Sequence, residues 1–588
     1  MNILLVAINS KYIHSNPAVY SLAAYGRKKL FSAAGAEEQT NIEIAEYTIN
    51  QPLSGIMKDV YRRKPDLLLF SCYIWNVTKV EELVSDMYRI RPELDIWLGG
   101  PEVSFDAEDV LRRLPAVKGV ICGEGEESFS EAAEAYIAAA GKADNIVEAD
   151  DMLRSVPGLV FRSAGGEIVK TGGRKPLDMD DVRFPYESLE DFENRIVYYE
   201  SSRGCPFRCS YCLSSVEKSL RFRSPELVKK ELAFFLENDV PQVKFIDRTF
   251  NCRREHALEI WRFIKENDNG VTNFHFEIAG DLLDEDELEL LQSMRPGQVQ
   301  LEIGVQSTNR RTLEEINRPM DFEKLADVVG RLKSAGNIHL HLDLIAGLPF
   351  EGYESFIKSF NDVFSLRPEQ LQLGFLKVLK GSPMESCRQE YGLMHTQAPP
   401  YEVLRTRWMS YDELIKLKAV ENMLDVYYNS GQFTNTIELL LGYFESPFLF
   451  FDSLAARYES ENLEMLNLSR NGRYEQLLNF GREYTGESGY EKLQEAMICD
   501  YYLRENVKNR PGFFGPDKVD KTFAKEFYSI EAREHRYLRG GRLDSDDPRM
   551  LRGLTHLEKL QDGYRLFDYT RRNPMDNNAA VMKIDENQ

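Results

Sequence analysis

Three of the chain's eight cysteines, Cys205, Cys209 and Cys212, fall in one short stretch, SSRGCPFRCSYCLSS at 201–215. The spacing is C-x3-C-x2-C. Three thiolates on one loop can ligate three irons of a cubane cluster and leave the fourth iron open. A closed zinc site takes four ligands at short range. The nearest further candidates, Cys252 and His256, lie 40 and 44 residues beyond Cys212. Chance clustering is the third reading, and an iron–sulfur cluster fits the spacing best. The other five cysteines are scattered, which does not suit a disulfide scaffold and points to a reducing compartment.

The segments around this loop predict an α/β fold in three parts. NILLVAI at 2–8, IEIAEYT at 42–48, DLLLFSC at 66–72, DIWLGG at 95–100 and VKGVICGEGE at 117–126 read as strands, each followed by a helix. Five βα units in a row imply a doubly wound, flavodoxin-like (Rossmann-like) parallel sheet. Such sheets bind ligands at the carboxyl ends of their strands. Here those ends carry INSKYIHSNP, CYIWN, GGPEVS and CGEGEESF. VPGLVFRSAGGEIVKTGGRKP reads as a hairpin with Gly-Gly at its turn, followed by an extended linker.

A second series supplies six strands: IVYYESS, QVKFIDRTFN, NFHFEIAG, VQLEIGVQS, HLHLDLIAGLP and QLQLGFLKVLKGSP. This is a partial (β/α)6 TIM-type barrel, two units short of a full one. The cysteine loop directly follows its first strand. Beyond about residue 401 the strands are expected to stop. The remainder reads as mostly α-helical and rich in Tyr and Phe, with a disordered tail, NNAAVMKIDENQ. The expected divisions are 1–142, 143–193 (hairpin and linker), 194–400 and 401–588.

CPFRCSYC resembles the signature of the radical S-adenosylmethionine (SAM) enzymes, CxxxCxΦC, with Tyr211 at the aromatic position. The resemblance covers about 198–383. It implies that Cys205, Cys209 and Cys212 hold a 4Fe-4S cluster whose open iron chelates the amino and carboxylate groups of SAM. One electron, from a reductant such as flavodoxin or ferredoxin, then splits SAM to methionine and a 5′-deoxyadenosyl radical. Tyr211 would lie near the adenine. FIDRTFN (245–251) resembles the second-strand segment of several branches, with Asp247 as a polar candidate near SAM. LEIGVQS (301–307) and DLIAGLP (343–349) resemble the strands that line the SAM pocket. They make Glu302, Gln306 and Asp343 candidate contacts to methionine or ribose, and Gly347 and Pro349 shapers of the turn by the adenine.

The first domain resembles the cobalamin-binding domain of class B radical SAM enzymes, through GGPEVS and GEGE. Its implied cofactor-binding positions are Ser71, Gly99, Gly100, Gly123 and Gly125. Domains with a histidine axial ligand carry Asp-x-His-x-x-Gly after the first strand. SKYIHSNP has His14 without the Asp or the Gly, so cobalamin is expected without this imidazole, and His14 as a loop hydrogen-bonder. A methylthiotransferase would carry a cysteine triad in this domain, where Cys72 and Cys122 read as structural. Cys252, just past FIDRTFN, is placed to face the active site or to pack. The C-terminal part resembles an uncharacterised helical extension of some cobalamin-type members.

The chain thus reads as a cytoplasmic, oxygen-sensitive radical SAM enzyme that methylates an unactivated carbon of a small-molecule or peptide substrate, with no catalytic residue named beyond the cluster cysteines. The alternative is a radical rearrangement or cyclisation without methyl transfer. A non-catalytic iron–sulfur or electron-transfer protein would not need LEIGVQS and DLIAGLP. With 588 residues and a net charge of −22, the composition disfavours broad nucleic-acid binding. No apolar run reaches the ~18 residues of a membrane span, and no signal peptide is expected.

Overall fold

The computed structural model describes residues 1–31, 40–140, 145–540 and 543–584. The first sheet holds β1 (Asn2–Asn9), β2 (Asn41–Thr48), β3 (Leu67–Ser71), β4 (Asp95–Gly99), β5 (Gly119–Ile121), β6 (Leu159–Arg162) and β7 (Ile168–Lys170). Its order is β2-β1-β3-β4-β5-β6-β7. The first five strands run parallel, and helices cover both faces, so β1 is buried from Ile3 to Asn9 and reads as one apolar run. One face packs on Phe129 and Ala133, the other on Val80, Val84 and Val110. Gly119 makes room for the buried indole of Trp97, since a Cβ there would stand 2.4 Å from the ring.

The hairpin expected as a connector is instead part of this sheet. β6 pairs antiparallel with β5 and β7 with β6. The reason is the otherwise bare edge of β5, whose backbone groups need partners. The expected boundary at 142–143 lies outside the described residues.

The second sheet matches the six-strand expectation. β8 (Val197–Tyr199) leads to a small hairpin, β9 (Ser202–Arg203) with β10 (Arg221–Phe222). Then follow β11 (Gln242–Phe245), β12 (Asn273–Ile278), β13 (Val299–Gln306), β14 (Ile338–Ala346) and β15 (Gln370–Phe375). The order is β15-β14-β13-β12-β11-β8, all parallel. Alternation sorts the strands: Phe245, Phe276, Leu301 and Leu342 join the apolar core, and the positions between them put Lys244, Glu277, Glu302 and His341 on the opposite, lumen face.

A six-stranded partial barrel has two open edges, and both are occupied. At β8, the Ile196 amide donates to the Ile13 carbonyl at 2.9 Å, and His14 forms a parallel bridge with Ile196. Residues 13–15 of the first domain therefore act as a stub of strand. At β15, the Asn429 side chain imitates a partner strand: it accepts from the Leu371 amide at 2.9 Å and donates to the Leu371 carbonyl at 2.8 Å.

The C-terminal part is mostly helical, as expected, but strands do not stop at 401. β16 (Met394–His395) and β17 (Val403–Arg405) form a short hairpin over the β14 end. Helices Tyr411–Leu424, Thr434–Leu441, Pro447–Ser460, Arg470–Arg504 and Lys521–Glu534 follow. The chain then closes on an antiparallel sheet of β18 (Thr555–Leu560), β19 (Gly563–Arg572) and β20 (Ala579–Ile584). The tail expected to be disordered is thus a strand through Ile584; residues 585–588 lie outside the described set. Asp562-Gly563, at the β18–β19 turn, is the hairpin signal that composition hid. No helix among the described residues is long and apolar enough to cross a membrane.

Replacing Asn429 by Ala leaves the Leu371 N–H and C=O without these partners, at a cost of about 1–3 kcal/mol. Hydrogen exchange at the Leu371 amide should rise accordingly, with the first domain's sheet unchanged.

Candidate active site between the first domain and the barrel

The cysteine loop is held on several sides. Gly204, just ahead of Cys205, has φ +94°, and a Cβ there would meet the Ser219 carbonyl oxygen at 2.3 Å, so the hairpin requires glycine. The Ser210 amide donates to Ile316 O at 2.9 Å, and the Met384 amide donates to Ser210 O at 2.8 Å. Cys209 is buried; Cys205 and Cys212 are half-buried. Thr249 Oγ1 lies 3.5 Å from Cys205 Sγ, and Arg318 Nη1 lies 3.7 Å from Cys209 Sγ. Burial pushes the Cys209 thiol up, and Arg318 opposes that. Arg318 also donates to the Gly304 carbonyl, which ties the loop to the end of β13.

These residues fit an iron–sulfur cluster better than a single ion. Among the described residues the one trio of ligand atoms lying within 4.8 Å of one another is Glu302, His341 and Asp343. The three thiols as a set lie further apart than that, as suits ligands of different irons and not of one tetrahedral zinc. Cys252 sits close enough to Cys205 to feel its charge, and burial raises its thiol pKa to about 12. Tyr211 packs against the core beside Cys209 and Arg318.

The predicted pocket residues divide. Asp247 is fully buried, and its carboxylate accepts from the Ser201 amide at 3.0 Å, Ser201 Oγ at 2.6 Å and Ser202 Oγ at 2.5 Å. It braces the crossing from β8 into the cysteine loop. Gln306 ends β13 at φ +70°, a costly conformation for this residue, and its buried Oε1 has no protein partner. Gly347 has φ +87° and lies under Val403, and Pro349 is buried beside it.

Glu302 and Asp343 sit lower in the lumen. Lys244 Nζ is 3.0 Å and His275 Nε2 is 2.9 Å from Glu302 Oε2. Burial alone would raise the Glu302 carboxyl, but His275, Lys244 and His341 outweigh it and bring it to about 2. His341 Nε2 lies 3.0 Å from Asp343 Oδ1. Glu277 is pushed up to about 7, first by burial and then by Glu302. The lumen is therefore a polar network around an ionised Glu302, in which burial pushes Glu277 and Asp343 up and His275 down.

In the first domain Ser71, Gly99, Gly100 and Gly123 stand at the ends of the adjacent strands β3, β4 and β5. A Cβ on Gly100 would meet the Cys72 carbonyl oxygen at 2.5 Å, whereas Gly123, at φ +79°, faces open space. Gly125 packs toward Leu22, and Ser71 Oγ accepts from Asn16 at 3.2 Å. Beside them, Trp75 is exposed and stacks on Tyr73 at 4.3 Å. Burial pushes the Tyr73 hydroxyl up, and Arg248 and Glu200 of the barrel act on it as well, so the loop after β3 lies near the barrel. That arrangement of bare backbone and exposed indole suits a large, flat ligand.

His14 Nδ1 is 2.6 Å from Tyr198 Oη, the hydrogen-bonding role expected of it. The glutamates of GGPEVS and GEGE turn out to be docking residues. Lys380 Nζ lies 3.1 Å from Glu102 and 3.0 Å from Asp106, and Tyr401 donates to Glu102. Glu126 meets Arg203 at 2.5 Å. Neither these pairs nor Arg318 had a local sequence signal, since their partners lie far along the chain.

Gly204→Ala should abolish stable iron incorporation, read as iron per chain after anaerobic reconstitution, while the protein still folds. The Glu277 carboxyl carries a folded pKa above its unfolded value, so it disfavours folding as pH rises from about 4.5 through about 7. Glu277→Gln should therefore raise the melting temperature at pH 8, by the equivalent of about 1–3 kcal/mol, and leave it unchanged near pH 4.5.

Three family models match the chain: a B12 binding domain at 3–133, the radical SAM superfamily at 199–363, and a protein family of unknown function, DUF4080, at 389–581. The uncharacterized methyltransferase PH0819 of Pyrococcus horikoshii is 24% identical over 62% of this chain and 77% of its own length. The cobalamin-dependent radical SAM methyltransferase TokK of Streptomyces tokunonensis is 27% identical over 56% of this chain and 50% of its own, so the match spans half of that relative. The cobalamin-dependent SAM radical enzyme OxsB, solved with aqua-cobalamin and SAM bound, shares the fold with a TM-score of 0.58 at 15% identity, over 94% of this chain and 83% of that one. The chain thus combines a B12-binding domain in front, a radical SAM domain in the middle and a DUF4080 region behind.

Proposed function

We propose that the chain methylates an unactivated carbon with a 4Fe-4S cluster, SAM and cobalamin. The observation that supports this reading is the docking of the first domain's strand-end segments on the end of the barrel that carries the cysteine loop. Glu126, after β5, meets Arg203 two residues before Cys205, and Glu102, after β4, meets Lys380. When bound, the cluster with SAM supplies a primary carbon radical and cobalamin supplies a methyl group, and a substrate between them is reached from two sides.

The chain's own residues bind and orient. Cys205, Cys209 and Cys212 hold the cluster, and Arg318 offsets the charge at Cys209. Gln306 offers a free carbonyl oxygen at the barrel rim, suited to a hydroxyl or amino group of SAM. Tyr211, Gly347 and Pro349 shape the adenine side, and Asp343 and Glu302 set the polar floor. Asp247 acts on SAM through the backbone it braces. Ser71, Gly99, Gly100, Gly123 and Gly125 form the cobalamin cradle, with Trp75 beside it. The substrate is a small molecule or peptide, the reductant a flavodoxin- or ferredoxin-like protein, and the setting the cytoplasm.

The fully loaded enzyme, given SAM and a one-electron reductant without oxygen, should form 5′-deoxyadenosine, and S-adenosylhomocysteine for each methyl group taken up. Cys209→Ala should form no 5′-deoxyadenosine. 5′-Deoxyadenosine without S-adenosylhomocysteine would overturn methyl transfer in favour of a rearrangement or cyclisation. 5′-Deoxyadenosine from the Ala variant would overturn the cluster assignment.

A further inference from the structure

The cysteine loop is gripped by the other domain. β9 and β10 pair antiparallel with Arg203 directly opposite Arg221, two like charges at the base of the loop that carries all three cysteines. Alone, such a pair opposes the hairpin. The GEGE loop of the first domain supplies the compensation. Glu126 Oε1 lies 2.5 Å from Arg203 Nη2, and Glu124 approaches both arginines, at 3.7 Å from Arg203 Nη1 and in close contact with Arg221. From the barrel side each arginine also has one carboxylate, Glu200 at 2.9 Å from Arg203 and Glu217 at 2.7 Å from Arg221, so four carboxylates surround the two guanidiniums.

The clamp is well buried. The Glu126 side chain is 5% exposed and Arg203 14%. Both glutamates are themselves fixed: Glu126 Oε1 accepts from Ser21 Oγ at 2.8 Å, and Glu124 Oε2 from the Leu177 amide at 2.9 Å. Ion pairs this enclosed contribute more to geometry than to net stability, because removing one partner strands a charge away from water. In the same loop Gly123, just past the end of β5, has open space beside it, and Gly125 packs toward Leu22. Whatever presses on that loop therefore presses on Arg203, one residue from Gly204 and two from Cys205.

We propose that Glu124 and Glu126 are positioning residues for the cluster loop, and that through them occupancy of the first domain's ligand site is coupled to the hold of the three cysteines on iron. This rests on the cobalamin reading above and adds a direction: each site should tighten the other, because coupling between two sites is reciprocal.

The test uses the full chain reconstituted anaerobically with iron and sulfide, and follows iron loss to a chelator with and without hydroxocobalamin. In the wild type, hydroxocobalamin slows the loss by about tenfold, within the usual range of such couplings. The Glu124→Gln/Glu126→Gln variant still takes up hydroxocobalamin, read from its absorbance, but loses iron faster and with no response to it. Should the double variant fail to fold, Glu124→Gln alone, which leaves Glu126 on Arg203, shows the same change at smaller size. Glu108→Gln, on a surface helix, behaves as wild type. An equal response to hydroxocobalamin in wild type and variants overturns the proposal. If the wild type takes up no hydroxocobalamin, the cobalamin reading fails by itself. The clamp is then judged on the cobalamin-free rates, and unchanged iron loss in the variants overturns it.

Discussion

A parallel sheet of six strands that does not close has two edges of unpaired backbone, and the architecture depends on how those edges are covered. Neither is left to water. Residues 13–15 of the first domain lie along β8, bridged through His14 and Ile196. Asn429 and the β17 segment lie along β15 and its extension, with the Val403 amide donating to Leu376 O at 2.8 Å. The barrel thus recruits its neighbours as substitutes for missing strands. That requirement explains why the three parts form one body, and why the first domain's strand ends meet the barrel mouth in a set orientation.

Charge refines what the backbone begins. The first domain docks through Arg195 with Glu46, Lys380 with Glu102 and Asp106, and the arginine pair with the GEGE glutamates. These contacts come from strand β2 and from the segments after β4 and β5, while the loop after β3 leaves Trp75 exposed. Enclosed ion pairs are weak sources of net stability but strict about geometry. The same holds inside the barrel, where Lys244, Glu302 and His275 replace the apolar layers of a closed barrel. A lumen lined by such a hydrogen-bonded polar network suits a polar ligand better than an apolar one.

Much of this was legible in the sequence, for identifiable reasons. The βα units announced themselves because parallel strands covered on both faces read as apolar runs, and the cysteine triad because its chemistry is local. Gly100 and Gly347 were found as glycines at strand ends, and the structure supplies the reason in positive φ and close neighbours. What was missed is mostly long-range. Glu102, Glu124 and Glu126 sit in recognisable motifs, but their partners, Lys380, Arg221 and Arg203, lie in another domain. Asp247 was read as a polar candidate near SAM, and its hold on Ser201 and Ser202 had no mark in the sequence. The β18–β20 sheet escaped notice because its strands carry charged residues on both faces, Glu558 and Asp568 among the buried ones, and follow a long helical stretch. The hairpin of β6 and β7 was recognised as a hairpin but not as an edge of the first sheet, since register with β5 leaves no mark in composition.

The central claim is that one chain carries both metal centres on a single crevice. The most direct measurement is the iron and cobalt content of one sample, purified without oxygen from cells supplied with cobalamin. About four irons and one cobalt per chain, the content of one 4Fe-4S cluster with one cobalamin, is the predicted result. Iron at that level with no cobalt would contradict the two-cofactor account and leave the first domain's glycine cradle to another ligand.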